Sequence, residues 1–341
     1  MVITSWEGHR WNKKKVPLTA SEISNLWTSY QANSMSICVL KYFSATAQDL
    51  DIKSVIEFAL GVAEKQYHDV KEIFRSEGVA IPLGFTEDDV DVNAPRLLSD
   101  AFALEYVKHM ASIGMMTYSA ALYISTRADV RECFHTAMIS TIELDKKSTE
   151  VLLDKGIYMR PPYINLPEKV DFVKDQSFLS GWFGERRPIT GLEITNLFIN
   201  MITNSLGKAL IMGFSQVVQS KDIRKYLIRG KQISTKQLSV FGSILKDEDV
   251  DTPRSWESHV TDSTIPPFSD KLMLFHVVSL IASGIGNYGV ALSTSPRKDI
   301  AAHYARLLSE IALYAEDGAN LMIKHGWMEE PPRAADRKAL V

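Results

Sequence analysis

The sequence predicts an all-α protein of two tandem four-helix bundles, each with one long crossover, and three observations predict it. The first is a long internal repeat: "PLTASEISNLW" at Pro17–Trp27 returns as "PITGLEITNLF" at Pro188–Phe198. The second is a matched pair of helix-start signals inside those phrases. The third is the uneven length of the connections between helical segments.

The repeat extends far beyond its opening phrase. At an offset of 171 positions Asp51-Ile52-Lys53 falls on Asp222-Ile223-Arg224, Lys65-Gln66 on Lys236-Gln237 and Pro82 on Pro253. The register then slips to 170, where Ser99-Asp100 meets Ser269-Asp270, Gly114 meets Gly284, Tyr118 meets Tyr288, Arg127 meets Arg297 and Gly156 meets Gly326. A period this long marks a duplicated domain, since solenoid units repeat every 20–50 residues. The implied organisation is an N-terminal extension (1–16), a first bundle (17–156), a Pro- and aromatic-rich strap (157–187), a second bundle (188–326) and a C-terminal tail (327–341).

Each helix has its own justification. Thr19-x-x-Glu22 and Thr190-x-x-Glu193 are capping boxes, so both copies of the phrase open the first helix of a bundle. Ile23, Leu26, Tyr30 and Ile37 then keep a period near 3.6 to about Gln48, mirrored by Ile194, Leu197 and Met201. The second helix runs from about Asp51 to Glu77, with Val55, Ala59, Val62, Gln66, Val70 and Ile73 on one stripe and Gly78 at its end. The third follows the cap candidates Ser99 and Asp100 and reaches Ser125. The fourth starts near Arg127 and closes at Gly156, suited to the left-handed terminal position. Its second copy is expected to use Ser295 as cap and Pro296 as first residue.

The connections select the topology. Turns between first and second and between third and fourth helices span only a few residues, whereas "GVAIPLGFTEDDVDVNAPRL" supplies about twenty. An extended segment of that length reaches ~60 Å and a helix of ~27 residues measures ~40 Å, so the segment can cross the whole bundle. One long crossover is the ferritin-like pattern. The strap, with its prolines and aromatics, is expected to pack on both bundles instead of tethering them loosely.

Composition narrows the functions. With 45% apolar and 23% charged residues and a net charge of -3, nothing favours nucleic acid. The N-terminal "MVITSWEGHRWNKKK" lacks the apolar run of a secretory signal, and the two cysteines, Cys38 and Cys133, sit in apolar helical patterns; a cytoplasmic protein is expected. Leu272–Pro296 contains no Asp, Glu, Lys or Arg and could span a bilayer by length, but its serines and glycines point to a buried helix at an interface between halves or subunits, without membrane insertion.

Candidate chemistry is sparse. A di-iron bundle needs inward carboxylates on two helices and Glu-x-x-His on the other two. Glu132-Cys-Phe-His135 has the spacing, but Glu132 projects away from the buried stripe and the counterparts are Ala302 and Ala305. Glu64 and His68 lie opposite the apolar stripe. The first helices offer inward Asn33, Ser34 and Lys41, and Asn204, Ser205 and Lys208, and an ammonium cannot ligate a cation. What recurs inside is a neutral set, Asn33 with Gln66 and Asn204 with Gln237: a hydrogen-bonded core network or a small-ligand site. "GIGNYG" (284–289) matches a dinucleotide-binding string without the strand it requires and reads as close helix packing. "DVDVN" (89–93) opens like a calcium loop but lacks its glycine and final Glu. No cofactor is implied.

The doubled "PLTASEISNLW", the strap "RPPYINLPEKVDF" with "GWFGERRP", and the paired "APRLLSD" and "PPFSDKL" resemble a duplicated family from endospore-forming bacteria, similar to spore coat F-like proteins with ferritin-like domains. The resemblance spans essentially the whole chain. It implies two ferritin-like bundles and supplies no activity or catalytic residues; histidine often stands in that family where this chain has Gln66 and Gln237, a departure that weighs against metal. The function expected is therefore a non-enzymatic structural or interaction protein associated with the spore coat or sporulation, with homo-oligomer or coat-protein partners. The alternatives are a ferritin-like metalloprotein, oxidase or storage, and a small-molecule carrier.

Overall fold

A computed structural model of the chain describes residues 16–182 and 186–339. Most of the expected N-terminal extension, residues 183–185 of the strap and the last two residues of the tail lie outside the described residues. Eight long helices form two halves of four: α1 (Ala20–Thr46), α2 (Leu50–Glu77), α3 (Asp100–Ile124) and α4 (Ala128–Asp154), then α5 (Gly191–Val217), α6 (Lys221–Lys246), α7 (Asp270–Ser293) and α8 (Lys298–Lys324).

Caps fix where the helices begin and which ends meet. Both capping boxes form, Thr19 with Glu22 and Thr190 with Glu193. The Asp100 carboxylate, at the start of α3, accepts from the backbone N–H of Gln48 and Asp49 in the α1–α2 turn at 3.0 and 2.9 Å. Asp270 does the same for Gln219 and Ser220. The starts of α2 and α3 therefore lie at one end of the bundle, and the segment between them travels its full length, as its length predicts. Ser295 does not cap α8. Arg297 takes the cap position, while the Ser295 hydroxyl bonds back to the Ala291 carbonyl at the end of α7. Gly78, Gly156 and Gly326 close helices at φ 64, 66 and 70°, where a Cβ would be strained.

The halves join about a pseudo-two-fold axis. The two crossovers pair antiparallel, with isolated bridges Val90 to Phe268 and Leu98 to Val260. The backbone bonds are reciprocal: Ser99 N donates to His259 O (2.9 Å) and Ser269 N to Asp89 O (3.0 Å), Asp91 N to Pro267 O (2.8 Å) and Thr261 N to Leu97 O (2.9 Å). Each pair maps onto its mate by the sequence repeat, so the join has the form of an isologous dimer interface built within one chain. On the axis the Tyr106 hydroxyl meets His276 Nε2 at 3.0 Å, and these two residues are themselves repeat counterparts. Phe43 packs edge-on to Tyr106 and its counterpart Phe214 to His276.

The core follows this symmetry. One apolar cluster runs through both halves across the axis, including Val39, Phe102, Leu104, Leu210, Trp256 and Leu274. Separate clusters fill the far ends, around Leu26, Phe74 and Phe134 in the first half and around Leu197, Phe241 and Tyr304 in the second. The beginning of α7, Leu272 to Val277 except Phe275, is buried at the axis, in line with its apolar sequence. Both α5 and α7 are long and apolar enough to cross a bilayer, yet only 28% of the apolar window of α7 is buried.

The middle of the strap and the glycine string both differ from what the sequence suggests. The strap packs on both halves at its ends, where Ile157, Tyr158 and Met159 join the central core, Gly181 sits against Asp299 and Trp182 lies beside His303, but between them Tyr163 (86% exposed), Leu166 (87%), Val170 (85%) and Phe172 (81%) face outward. The glycines of "GIGNYG" do not bring helices together either. A Cβ on Gly286 or Gly289 would meet nothing within 4 Å, and on Gly284 only the Ile311 side chain at 4.0 Å. Close approach occurs instead between α6 and α8. Tyr226 and Tyr314 stack at 4.2 Å, each hydroxyl donating to the other's carbonyl, and Gly230 and Gly318, one turn along each helix, leave the room the rings need.

Candidate functional site

The polar groups inside each bundle come from helices whose register is set by the apolar stripes. On α1, Asn33 is buried among the residues that face α3 and donates from Nδ2 to the Ser29 carbonyl (2.8 Å) and the Tyr118 hydroxyl (3.2 Å). On α5, Asn204 donates to the Asn200 carbonyl (2.8 Å) and the Tyr288 hydroxyl (2.7 Å), and that hydroxyl donates to Gln237 Oε1 at 3.0 Å. The second bundle thus brings Asn204 and Gln237 together through Tyr288. The first does not: Gln66 is only 1% exposed and neither of its side-chain polar atoms has a partner. Gln237 Nε2 and His276 Nδ1 are also buried without partners.

These groups border cavities. In the first bundle a cavity of about 180 Å³ lies between Asn33, Ala59, Ala63, Met110, Tyr118 and Thr141, and the α7 residues His276, Ser279 and Ser283 close it from the other half. In the second bundle a cavity of about 80 Å³ is bounded by Asn204, Gln237, Tyr288 and Tyr314, with Tyr106 and His109 of α3 reaching in. The counterparts obey the repeat. Each bundle's cavity is therefore walled in part by a helix of the opposite half.

The environment keeps this interior neutral. Burial pushes His276 down to about 3 and, with Lys108 nearby, His109 down to about 4, so both rings are uncharged at neutral pH. Burial pushes the Tyr106, Tyr288 and Tyr304 hydroxyls far above neutrality. Glu105 moves the opposite way from a paired carboxylate: burial lifts it to about 7 against the pull of Lys108 and Arg254.

The carboxylates expected of a dimetal centre are elsewhere. Glu22 is fully buried, but at the bundle end, where Oε2 accepts from the Thr19 N–H and hydroxyl and Oε1 from the Thr126 and Arg127 N–H groups. Burial alone would push it up; those backbone donors win and hold it at about 2. Glu193 does the same work with Thr190, Arg187 and the Arg297 N–H. Each ties the start of the first helix to the turn before the fourth. Lys41 and Lys208 point to the crossovers and pair with the counterpart residues Glu87 and Glu257. Glu132 and His135 are both exposed on α4, and His68 is exposed on α2. Among the described residues no three His, Cys, Asp or Glu side chains converge as a metal site, and the mid-bundle donor set of amides and phenols does not fit the carboxylate-rich ligation that a di-iron centre needs.

Sequence reasoning named Asn33, Gln66, Asn204 and Gln237 but missed Tyr118 and Tyr288 as their partners, although the repeat aligns these tyrosines. It also missed Tyr106 and His276. Their unlike identities hid the fact that they are counterparts meeting on an axis.

Against known proteins, a family described as a protein of unknown function (DUF3231) matches residues 7–170 and again 177–340. Among curated proteins there is no match. A crystal structure from Bacillus halodurans C-125, described as that of a candidate spore coat protein, shares 24% identity with a TM-score of 0.41 and covers 45% of this chain and 99% of its own.

Proposed function

From the premise that the chain belongs to the DUF3231 family and carries its domain twice, we propose that it is a non-enzymatic structural protein that assembles through its strap. The observation that carries this reading is the outward row of large apolar side chains at Tyr163, Leu166, Val170 and Phe172. Large apolar side chains left in water are unfavourable by roughly 25 cal/mol per Å², and several of them on one short segment mark an interaction surface. The apolar window of α7, only 28% of it buried, adds a second such surface. The partner is a second copy of this chain, and the setting is the spore coat or sporulation, the association implied by the strap and repeat phrases. The buried free thiols, both pushed up to about 12 mainly by burial, suit a reducing, cytoplasmic site of synthesis. The bundles serve as a ferritin-like scaffold whose buried charges hold helix ends.

Sedimentation of the full chain over a wide concentration range tests this. Self-association is expected, and Leu166→Ser with Phe172→Ser is expected to abolish it while helicity stays the same. A wild-type chain that remains monomeric at every concentration, or a double variant that associates equally well, defeats the reading.

A further inference from the structure

The first-bundle cavity is larger than ordinary packing leaves. Protein interiors are close-packed with few voids bigger than a water molecule, whereas this space measures about 180 Å³. An engineered apolar cavity of about 150 Å³ accommodates benzene. The walls include no Asp, Glu, Lys or Arg, so a charged ligand would lose its hydration without a counter-ion. Ala32 and Thr117, both exposed, mark where the space reaches the surface between α1 and α3. One wall group is left without a partner: His276 is 1% exposed, its Nε2 is engaged by the Tyr106 hydroxyl, and its Nδ1 bonds to nothing. A buried polar atom in that condition is normally satisfied by water or ligand.

We propose that this cavity binds a small neutral ring-sized molecule bearing one hydrogen-bonding group, of the phenol class, and that His276 from the second half receives that group. A neutral imidazole offers one donor and one acceptor nitrogen, and the Tyr106 hydroxyl can take either complementary role, so Nδ1 can match a ligand hydroxyl in either direction. The low pKa of His276 keeps the ring in the form this requires at neutral pH. The equivalent space in the second bundle is an internal control. There Thr141 and Leu144 are replaced by Ile311 and Tyr314, and about 80 Å³ remains, room for water and not for a ring. The site is independent of the assembly role, and it is incomplete without the second half of the chain.

Calorimetric titration of the full chain with phenol and with benzene tests the proposal, with thermal unfolding as a parallel readout. One phenol is expected to bind per chain, about tenfold tighter than benzene, the factor one additional hydrogen bond supplies. His276→Phe is expected to bring the two probes to equal affinity. Ala63→Met fills the space and is expected to remove binding of both; Ser279→Leu fills it from the opposite half and serves if the first variant does not fold. Absence of saturable binding, binding that survives the filling variants, or a phenol preference unchanged by His276→Phe each overturns the proposal. So does a crystal structure after phenol soaking that shows only water in the cavity.

Discussion

Replacing Glu22 by Gln tests how the bundle ends are held. The carboxylate accepts from three backbone N–H groups, of Thr19, Thr126 and Arg127, each at 2.8 Å, and from the Thr19 and Thr126 hydroxyls. A carboxamide has a single oxygen, so one side of the site would face an NH2 group and leave at least one buried N–H unpaired. That loss is about 1–3 kcal/mol, and weakening the remaining charge-assisted bonds adds to it. A second route agrees. A carboxyl held at about 2 against its ordinary 4.5 corresponds to on the order of 3 kcal/mol of folded-state preference for the anion. Urea unfolding at pH 7, followed by circular dichroism, should show Glu22→Gln less stable by about 3 kcal/mol, while the exposed control Glu150→Gln stays within about 0.5 kcal/mol. The sign with pH is fixed too. The anion's contribution is complete above about 4.5 and disappears as pH falls toward 2, so the gap between wild type and variant should close across that window. A loss below 1 kcal/mol at pH 7, or a gap that does not change with pH, would refute the reasoning.

Other substitutions follow from the same geometry. Gly230→Ala improves helix propensity by about 1 kcal/mol but places a Cβ 2.8 Å from Tyr314 Cζ, so thermal melting should show net destabilisation of about 1–3 kcal/mol. Glu105 is raised by burial to about 7, so its penalty grows as pH rises from about 4.5 and levels off above 7; Glu105→Gln should leave stability unchanged at pH 4 and raise it by about 1–3 kcal/mol at pH 8 in denaturant titrations. His276 is held neutral, and the unfolded chain gains a proton there as pH falls below about 6.5 while the folded one does not until about 3. His276→Phe should therefore flatten the decline in melting temperature over that range. Tyr106→Phe keeps the ring contacts and removes one buried hydrogen bond at the axis, with an expected loss of about 1–2 kcal/mol by urea unfolding.

Much of the architecture is legible along the chain because it rests on local chemistry. Thr19 with Glu22 and Thr190 with Glu193 announce helix starts, since a cap is a bond between residues three apart. Gly78, Gly156 and Gly326 announce ends because only the left-handed region closes those turns without strain. The repeat and the connection lengths then fix two bundles with parallel second and third helices. The candidate site was legible only as residue types. Asn204 and Gln237 are joined by Tyr288, whereas Asn33 and Gln66 remain apart, although the two sets share one pattern of spacing. Whether they meet depends on side chains from helices 50–85 residues away, a distance over which periodicity carries no information.

The sequence by itself determined the helices, their number, both capping boxes and the duplication, because each depends on contacts within a few residues or on self-similarity. Only the tertiary structure decided that the halves meet about an axis through Tyr106 and His276, that Glu22 and Glu193 brace the α3–α4 and α7–α8 turns, that the strap shows its apolar side to water, and that a cavity persists where Thr141 and Leu144 stand in place of Ile311 and Tyr314. These features arise where surfaces from distant segments must fill common space, and packing of that kind is settled by the sum of all the neighbours present.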